Sequence, residues 1–177
     1  MRLVVLADTH VPARARDLPP RVWTAVDEAD VVLHAGDWVG PDLLRQITRR
    51  SRRLIACFGN NDGPEIRAIL PEIARVTLDG LRFVIVHETG AAAARDRRLA
   101  AAYPDADVIV FGHSHIPWDT TTTRPQDGRP LRLLNPGSPT DRRRQPQPTY
   151  LTATIKDQTL LDVELHRLPR PTPARPR

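Results

Sequence analysis

Residues 31–37 read Val31-Val32-Leu33-His34-Ala35-Gly36-Asp37, and the fold is decided there. The first five residues form a nearly continuous apolar run without alternation, the pattern of a short strand buried on both faces. Gly36 and Asp37 then end the run and leave a carboxylate beyond the strand's carboxyl end. Four other runs are built alike. Leu3–Ala7 leads to Asp8-Thr9-His10, and Leu54–Phe58 to Gly59-Asn60-Asn61-Asp62. Phe83–Val86 leads to His87-Glu88, and Val108–Phe111 to Gly112-His113-Ser114-His115.

The stretches between these runs carry helical signals. Pro20–Glu28 is amphipathic with proline in its first turn, where the missing N–H is harmless. Pro41–Ile47 ends in a basic cluster suited to a helix C-terminus. Pro64–Leu70 is stopped by Pro71, and the alanine-rich Ala91–Tyr103 by Pro104. Strand–helix alternation predicts βαβ units and a largely parallel sheet in the first two-thirds. After residue 116, Thr120–Thr123, Leu131–Leu134, Tyr150–Ile155 and Leu160–Leu165 are strand-like and separated by turn residues, which predicts antiparallel hairpins. The expected class is α/β, with two mixed β-sheets face to face and helices outside.

A chain of 177 residues fits one domain, and lengths of about 100–200 residues are usual for one. The single cysteine, Cys57, excludes an internal disulfide and suits a reducing cytoplasm. No apolar segment approaches the roughly 20 residues of a membrane span. The apolar start stops at Asp8 and is shorter than a signal-peptide core, so it reads as a first strand. The net charge of +5 raises nucleic acid or acidic lipid as partners. Much of the excess, however, sits in Arg142–Arg144 and between Arg170 and Arg177. Few aromatics are interleaved to stack bases, so the charge reads as solvated. Neither nucleic acid nor membrane is the expected partner, and self-association is left open. The Pro/Arg-rich end, residues 169–177, is expected to be a disordered tail.

In open α/β sheets ligands bind beyond the carboxyl ends of the strands. Five strands therefore deliver Asp8, His10, Asp37, Asn60, His87, His113 and His115 to one rim. Taken singly, an aspartate there caps a helix and a histidine belongs to the core. Together they are hard to obtain from caps, since clustered imidazoles repel once protonated. A divalent cation would hold them neutral. In an extended strand end, residues i and i+2 point the same way, so His113 and His115 are expected to face one site. Nitrogen and oxygen donors without thiolate exclude an iron–sulfur or structural cysteine–zinc centre.

The blocks Asp8-x-His10, Gly36-Asp37, Gly59-Asn60, His87 and Gly112-His113-x-His115, in that order, resemble the calcineurin-like metallophosphoesterases. Asn135-Pro-Gly-Ser138 resembles the segment that follows in the small YfcE-type phosphodiesterase branch, and the similarity spans roughly residues 1–168. The resemblance implies a four-layer αββα sandwich with two divalent metals. By it, Asp8, His10 and His115 hold the first metal, Asn60, His87 and His113 the second, and Asp37 bridges both. Catalysis is then assigned to Asp37, Asn60 and His87 through a metal-activated bridging hydroxide, acting on a small phosphate ester. Diesters are favoured over monoesters. Mn²⁺ is the expected ion, with Fe, Zn and Ni served equally by these donors. A non-catalytic binding scaffold of the retromer-subunit type is the alternative.

Three departures from that family matter. Ala7 and Val11 flank the first block where serine and glycine are common. Glu88 follows His87 and reads as a cap for the helix expected at Ala91, with contact to a metal-held water as the other reading. Asn61 stands where larger relatives carry a histidine thought to protonate the leaving group. His34, His166 and Asn135 read as structural. The loops 11–20 and 116–130 carry Arg14, Arg16, Trp118 and Arg124, which suit an anionic ligand.

Overall fold

The computed structural model describes residues 1–170. In chain order the elements are β1 (Arg2–Leu6), α1 (Pro20–Glu28), β2 (Val31–Ala35), α2 (Pro41–Arg50) and β3 (Leu54–Cys57). There follow α3 (Pro64–Ile69), β4 (Ile73–Leu78), β5 (Leu81–Val86), α4 (Arg95–Ala102) and β6 (Val108–Phe111). The last four are β7 (Trp118–Thr123), β8 (Pro130–Asn135), β9 (Thr149–Lys156) and β10 (Thr159–Arg167). They make two five-stranded sheets, ordered β10-β9-β1-β2-β3 and β4-β5-β6-β8-β7. Both are mixed. β1, β2 and β3 are parallel, with Leu3 opposite Val31 and Val32 opposite Leu54, while β9 runs antiparallel to β1. In the second sheet β5, β6 and β8 are parallel, and β4 and β7 run antiparallel at its edges.

Alternation along each strand builds the layers. Leu3 and Val5 of β1 face the second sheet, where Phe83, Ile85, Val108, Val110 and Leu134 meet them. Val4 and Leu6 face outward into a cluster with Val22, Trp23 and Val26 of α1 and Leu43, Leu44 and Ile47 of α2. On the far side, Val84, Val86, Ile109 and Phe111 pack against Leu99 and Ala100 of α4. Each such side chain taken fully out of water contributes about 1.5–3 kcal/mol. The helices are short, and packing rather than side-chain capping holds them: α1, α2 and α3 all begin on proline without a side-chain cap bond. No helix among the described residues is long and apolar enough to cross a membrane.

Two elements differ from expectation. Strand β4 is absent from the sequence reading. Its burial alternates along Ile73–Leu78, and a tight turn at Asp79-Gly80, both with positive φ, folds it onto β5. Helix α4 starts at Arg95 rather than Ala91. Ala94 is left-handed (φ 52°), and the Arg98 guanidinium takes the carbonyls of Thr89 and Ala91, so the alanines form a loop. At the end of the chain, Leu168 is buried and Arg170 Nε donates to the Pro146 carbonyl at 3.0 Å. The rest of the expected disordered tail, residues 171–177, lies outside the described residues.

Arg124 also departs from its expected place at the substrate. It is 1% exposed, donating to the Ala106 carbonyl and to the carboxylates of Asp107 and Asp127. Asp107 precedes β6, at the rim opposite the strand ends that carry the candidate ligands. Trp118 packs under the Arg95 guanidinium on the outer face. Both serve the second sheet.

Candidate metal centre

The seven residues read from the strand ends converge at one rim. Asp8 and His10 follow β1, Asp37 follows β2, Asn60 follows β3, His87 follows β5, and His113 and His115 follow β6. Asp8, His10, Asp37, His87 and His115 are buried, whereas Asn60 and His113 are exposed. The backbone does not reach them by extension. Asp8, His10, Asp37, His113 and His115 all have positive φ, between 44° and 68°. Left-handed backbone is uncommon for residues with a side chain and clusters where function over-determines it. His113 and His115 therefore do not share one direction, as alternation implied; the turn sends them to different neighbours.

Two groups result. His10 Nε2 lies 3.2 Å from His115 Nε2, and Asp8 Oδ1 lies 3.5 Å from His115 Nε2 and 4.0 Å from His10 Nε2. In the second group, Asn60 Oδ1 is 2.9 Å from His87 Nε2 and 3.0 Å from His113 Nδ1. Asp37 stands between them, with Oδ2 at 3.5 Å from His10 Nε2 and Oδ1 at 3.3 Å from His87 Nε2. A divalent ion about 2.0–2.2 Å from each donor would separate neighbouring donors by roughly 3–3.5 Å, so both groups have the right span. Asp8 Oδ2 is buried without a hydrogen-bond partner, and a bound cation would satisfy it.

The supports are local. His87 Nδ1 donates to the Ala35 carbonyl at 2.8 Å and His115 Nδ1 to the Asp141 carbonyl at 2.5 Å. Each bond fixes the tautomer that leaves Nε2 bare toward the centre. Asp62 lies outside the seven candidates. Its buried carboxylate in fact accepts the backbone N–H of Asp37 (3.1 Å), Gly59 (2.7 Å) and Val39 (2.7 Å), tying the β2 and β3 ends together. Gly59 must be glycine because an added Cβ would lie 2.2 Å from Asp37 Oδ1. Ser138 Oγ donates to the Asp8 carbonyl and Thr140 Oγ1 to the Thr9 carbonyl, which explains the Asn135–Ser138 segment. Asn135 is structural, as expected: its amide bonds the Gly112 carbonyl, Ser114 Oγ and Gly137 N–H. His34 stacks on Trp38 and bonds Thr9, and His166 stacks on Tyr150 and bonds Thr152, so neither joins the centre.

Burial pushes the Asp8 carboxyl up to about 8 and the His115 imidazole down to about 4, and it also lowers His10. Burial acts against ionised Asp37 too, but the His87 contact and the two Asn61 donors outweigh it and hold Asp37 below the usual carboxylate range. His87 is raised because its bond to Asp37 and the charge of Asp8 outweigh desolvation. Asp37 is thus held ionised, and the His10 and His115 imidazoles neutral.

Glu88 caps nothing, which corrects the expectation. Helix α4 begins seven residues later, and the Glu88 carboxylate instead sits 3.6 Å from His113 Nδ1, in one group with His87 and His113. Asn61 lies across Asp37, donating its backbone N–H to Oδ1 at 2.9 Å and its amide to Oδ2 at 2.6 Å.

The chain belongs to the calcineurin-like phosphoesterase superfamily, whose domain model matches residues 1–158. It is 28% identical to a probable metallophosphoesterase of Methanothermobacter thermautotrophicus over 97% of this chain and 95% of that one. A phosphodiesterase of Methanocaldococcus jannaschii is 24% identical, over 65% of this chain and 74% of the other. Among solved structures, Vps29 of Chaetomium thermophilum superimposes with a TM-score of 0.76 at 20% identity, covering 98% of this chain and 99% of that one. It shares the fold.

Proposed function

We propose that residues 1–168 are one catalytic domain that hydrolyses phosphate esters, with phosphodiesters favoured, at a centre of two divalent metal ions. One observation carries the reading: seven nitrogen and oxygen donors from five strand ends divide into two groups about the two oxygens of Asp37. Asp8, His10 and His115 would hold one ion, and Asn60, His87 and His113 the other, with Asp37 common to both. When bound, such a pair supplies Lewis-acid charge at the phosphoryl oxygens and lowers the pKa of an attacking water.

The chain's own residues do the rest. The Ala35 and Asp141 carbonyls hold the His87 and His115 rings with Nε2 aimed inward. Asn60 contributes an oxygen without charge, so an anionic ester is not repelled from that side. The amide of Asn61 faces Asp37 and has no proton to give a departing alkoxide. Leaving-group departure therefore relies on the acidity of that group. The diester preference draws support from the phosphodiesterase name of the Methanocaldococcus relative.

The test is metal content and turnover together. Purified protein should carry close to two Mn²⁺ per chain after loading and cleave bis(4-nitrophenyl) phosphate. EDTA should abolish turnover and added Mn²⁺ restore it. Asp37→Ala should lose metal and activity together, because it removes the donor common to both groups. Undiminished turnover by Asp37→Ala, or by metal-free protein, would sink the proposal.

A further inference from the structure

The arginines around the rim are not equivalent. Arg67 is engaged by the Asp62 and Gly59 carbonyls and stacks on Phe58. Arg98 is spent on the Thr89 and Ala91 carbonyls. Arg142 turns back onto the carbonyls of Arg143 and Gln145. Arg14 and Arg143 differ. They line a pocket of about 300 Å³ together with His10, Asn61 and Asp141. The pocket thus opens directly beside the first group of donors.

Its charge balance favours an anion. Arg14 Nε approaches Asp141 Oδ2 only to 3.7 Å and is largely exposed. The other Asp141 oxygen accepts the Arg143 backbone N–H at 3.3 Å, so this one carboxylate is already shared. The Arg143 side chain gives one donor, Nη1, to the His113 carbonyl at 3.2 Å. Among the described residues its remaining guanidinium donors have no protein partner. Arg143 also holds a left-handed backbone (φ 46°), which turns it toward the rim. Two guanidinium groups against one committed carboxylate leave a net cation on the pocket wall beside His10. A planar guanidinium with free N–H groups pairs best with phosphate.

We infer that Arg14 and Arg143 form a second anion subsite, and that the preferred substrates are phosphodiesters carrying a second phosphate. This rests on the phosphoesterase reading above and narrows its substrate class.

The experiment compares two chromogenic diesters on Mn²⁺-loaded protein: thymidine 5′-(4-nitrophenyl phosphate) and the same compound with a 3′-phosphate. The leaving group is identical, so the ratio of their kcat/KM values isolates the second phosphate. The wild type should favour the 3′-phosphorylated compound by roughly tenfold or more, the effect of one charge-assisted hydrogen bond. That ratio should fall toward unity in Arg143→Ala and partly in Arg14→Ala. Arg144→Ala removes the same charge one residue on, outside the pocket, and should keep the wild-type ratio. Equal cleavage of both compounds by the wild type overturns the subsite while leaving the phosphoesterase reading intact. So does a preference that survives both substitutions, or one that Arg144→Ala abolishes as fully as Arg143→Ala. Cleavage of neither compound overturns the underlying reading and the subsite with it.

Discussion

Replacing Asp62 tests whether the rim is assembled by backbone bonds to one buried carboxylate. In Asp62→Ala, the N–H groups of Asp37, Gly59 and Val39 lose their acceptor together. An orphaned buried donor costs about 1–3 kcal/mol. Water can reach part of the space vacated, so a total of about 3–5 kcal/mol is expected, a large share of the 5–15 kcal/mol typical of a domain. Asp62→Asn keeps the shape but turns one oxygen into an N–H₂ group. If its oxygen serves Asp37 and Gly59, the amide faces the Val39 N–H, and one donor remains unmet. Burial raises the Asp62 pKa, so ionisation is itself disfavoured there, and removing the charge returns part of the loss. About 2 kcal/mol is the net expectation. Urea unfolding of metal-free protein measures both. With a slope of about 2 kcal/mol per molar urea, the midpoint should fall by about 1 M in Asp62→Asn and by about 2 M in Asp62→Ala, with the slope unchanged. An Asp62→Ala midpoint within 0.3 M (roughly 0.6 kcal/mol at that slope) of wild type would refute the reasoning.

Three further outcomes are expected. Asp107 is buried, which alone would raise its pKa, but the Arg82 bonds and the Arg124 charge hold it low. The stability it adds is present above the unfolded value near 3.8 and is lost as pH falls through its lower folded value, so the unfolding free energy of wild type should exceed that of Asp107→Asn by about 1.5–3 kcal/mol at pH 7 and the gap should shrink below pH 4; a gap independent of pH would contradict the pairing. Glu88→Ala should change the unfolding free energy of metal-free protein by less than about 0.5 kcal/mol, and a loss above 1.5 kcal/mol would restore it to a capping role. A plot of log kcat/KM against leaving-group pKa should be steep in wild type and flatter in Asn61→His, which places an acid worth roughly 10²–10⁴ in rate where the amide now lies; a wild-type line already flat, with chemistry rate-limiting, means that another residue supplies the proton.

The strand ends were legible because an apolar run that stops on a polar residue needs no tertiary knowledge to interpret. Asp37 after Val31–Ala35 and His87 after Phe83–Val86 are of this kind, and the structure brings all seven candidates to one rim. What resisted reading was backbone direction. Nothing in Asp8-Thr9-His10 or His113-Ser114-His115 announces left-handed residues, since local preference opposes them and only tertiary contacts impose them. Strand β4 is hard to read because half of it faces water and Pro71 precedes it, although Asp79-Gly80 after an alternating stretch is a hairpin signal. The alanines before α4 misled in the opposite sense: their helix propensity is overridden by Arg98, which takes two of the loop's carbonyls. Asp62 was visible as a residue, but its three partners lie on two different loops.

The chain leaves the first sheet after β3, completes the whole of the second sheet, and only then returns with β9 and β10. Val5 pairs with Leu151, so the inner edge of β1 has no strand beside it until some 145 residues later in the chain. At about 5–20 residues per second on a ribosome, that interval lasts roughly 7–30 s. Throughout it Leu3-Val4-Val5-Leu6 presents an open apolar edge, the kind that recruits other chains. For this protein, the hazard in the cell falls during synthesis, and the hairpin made last is the element that ends it.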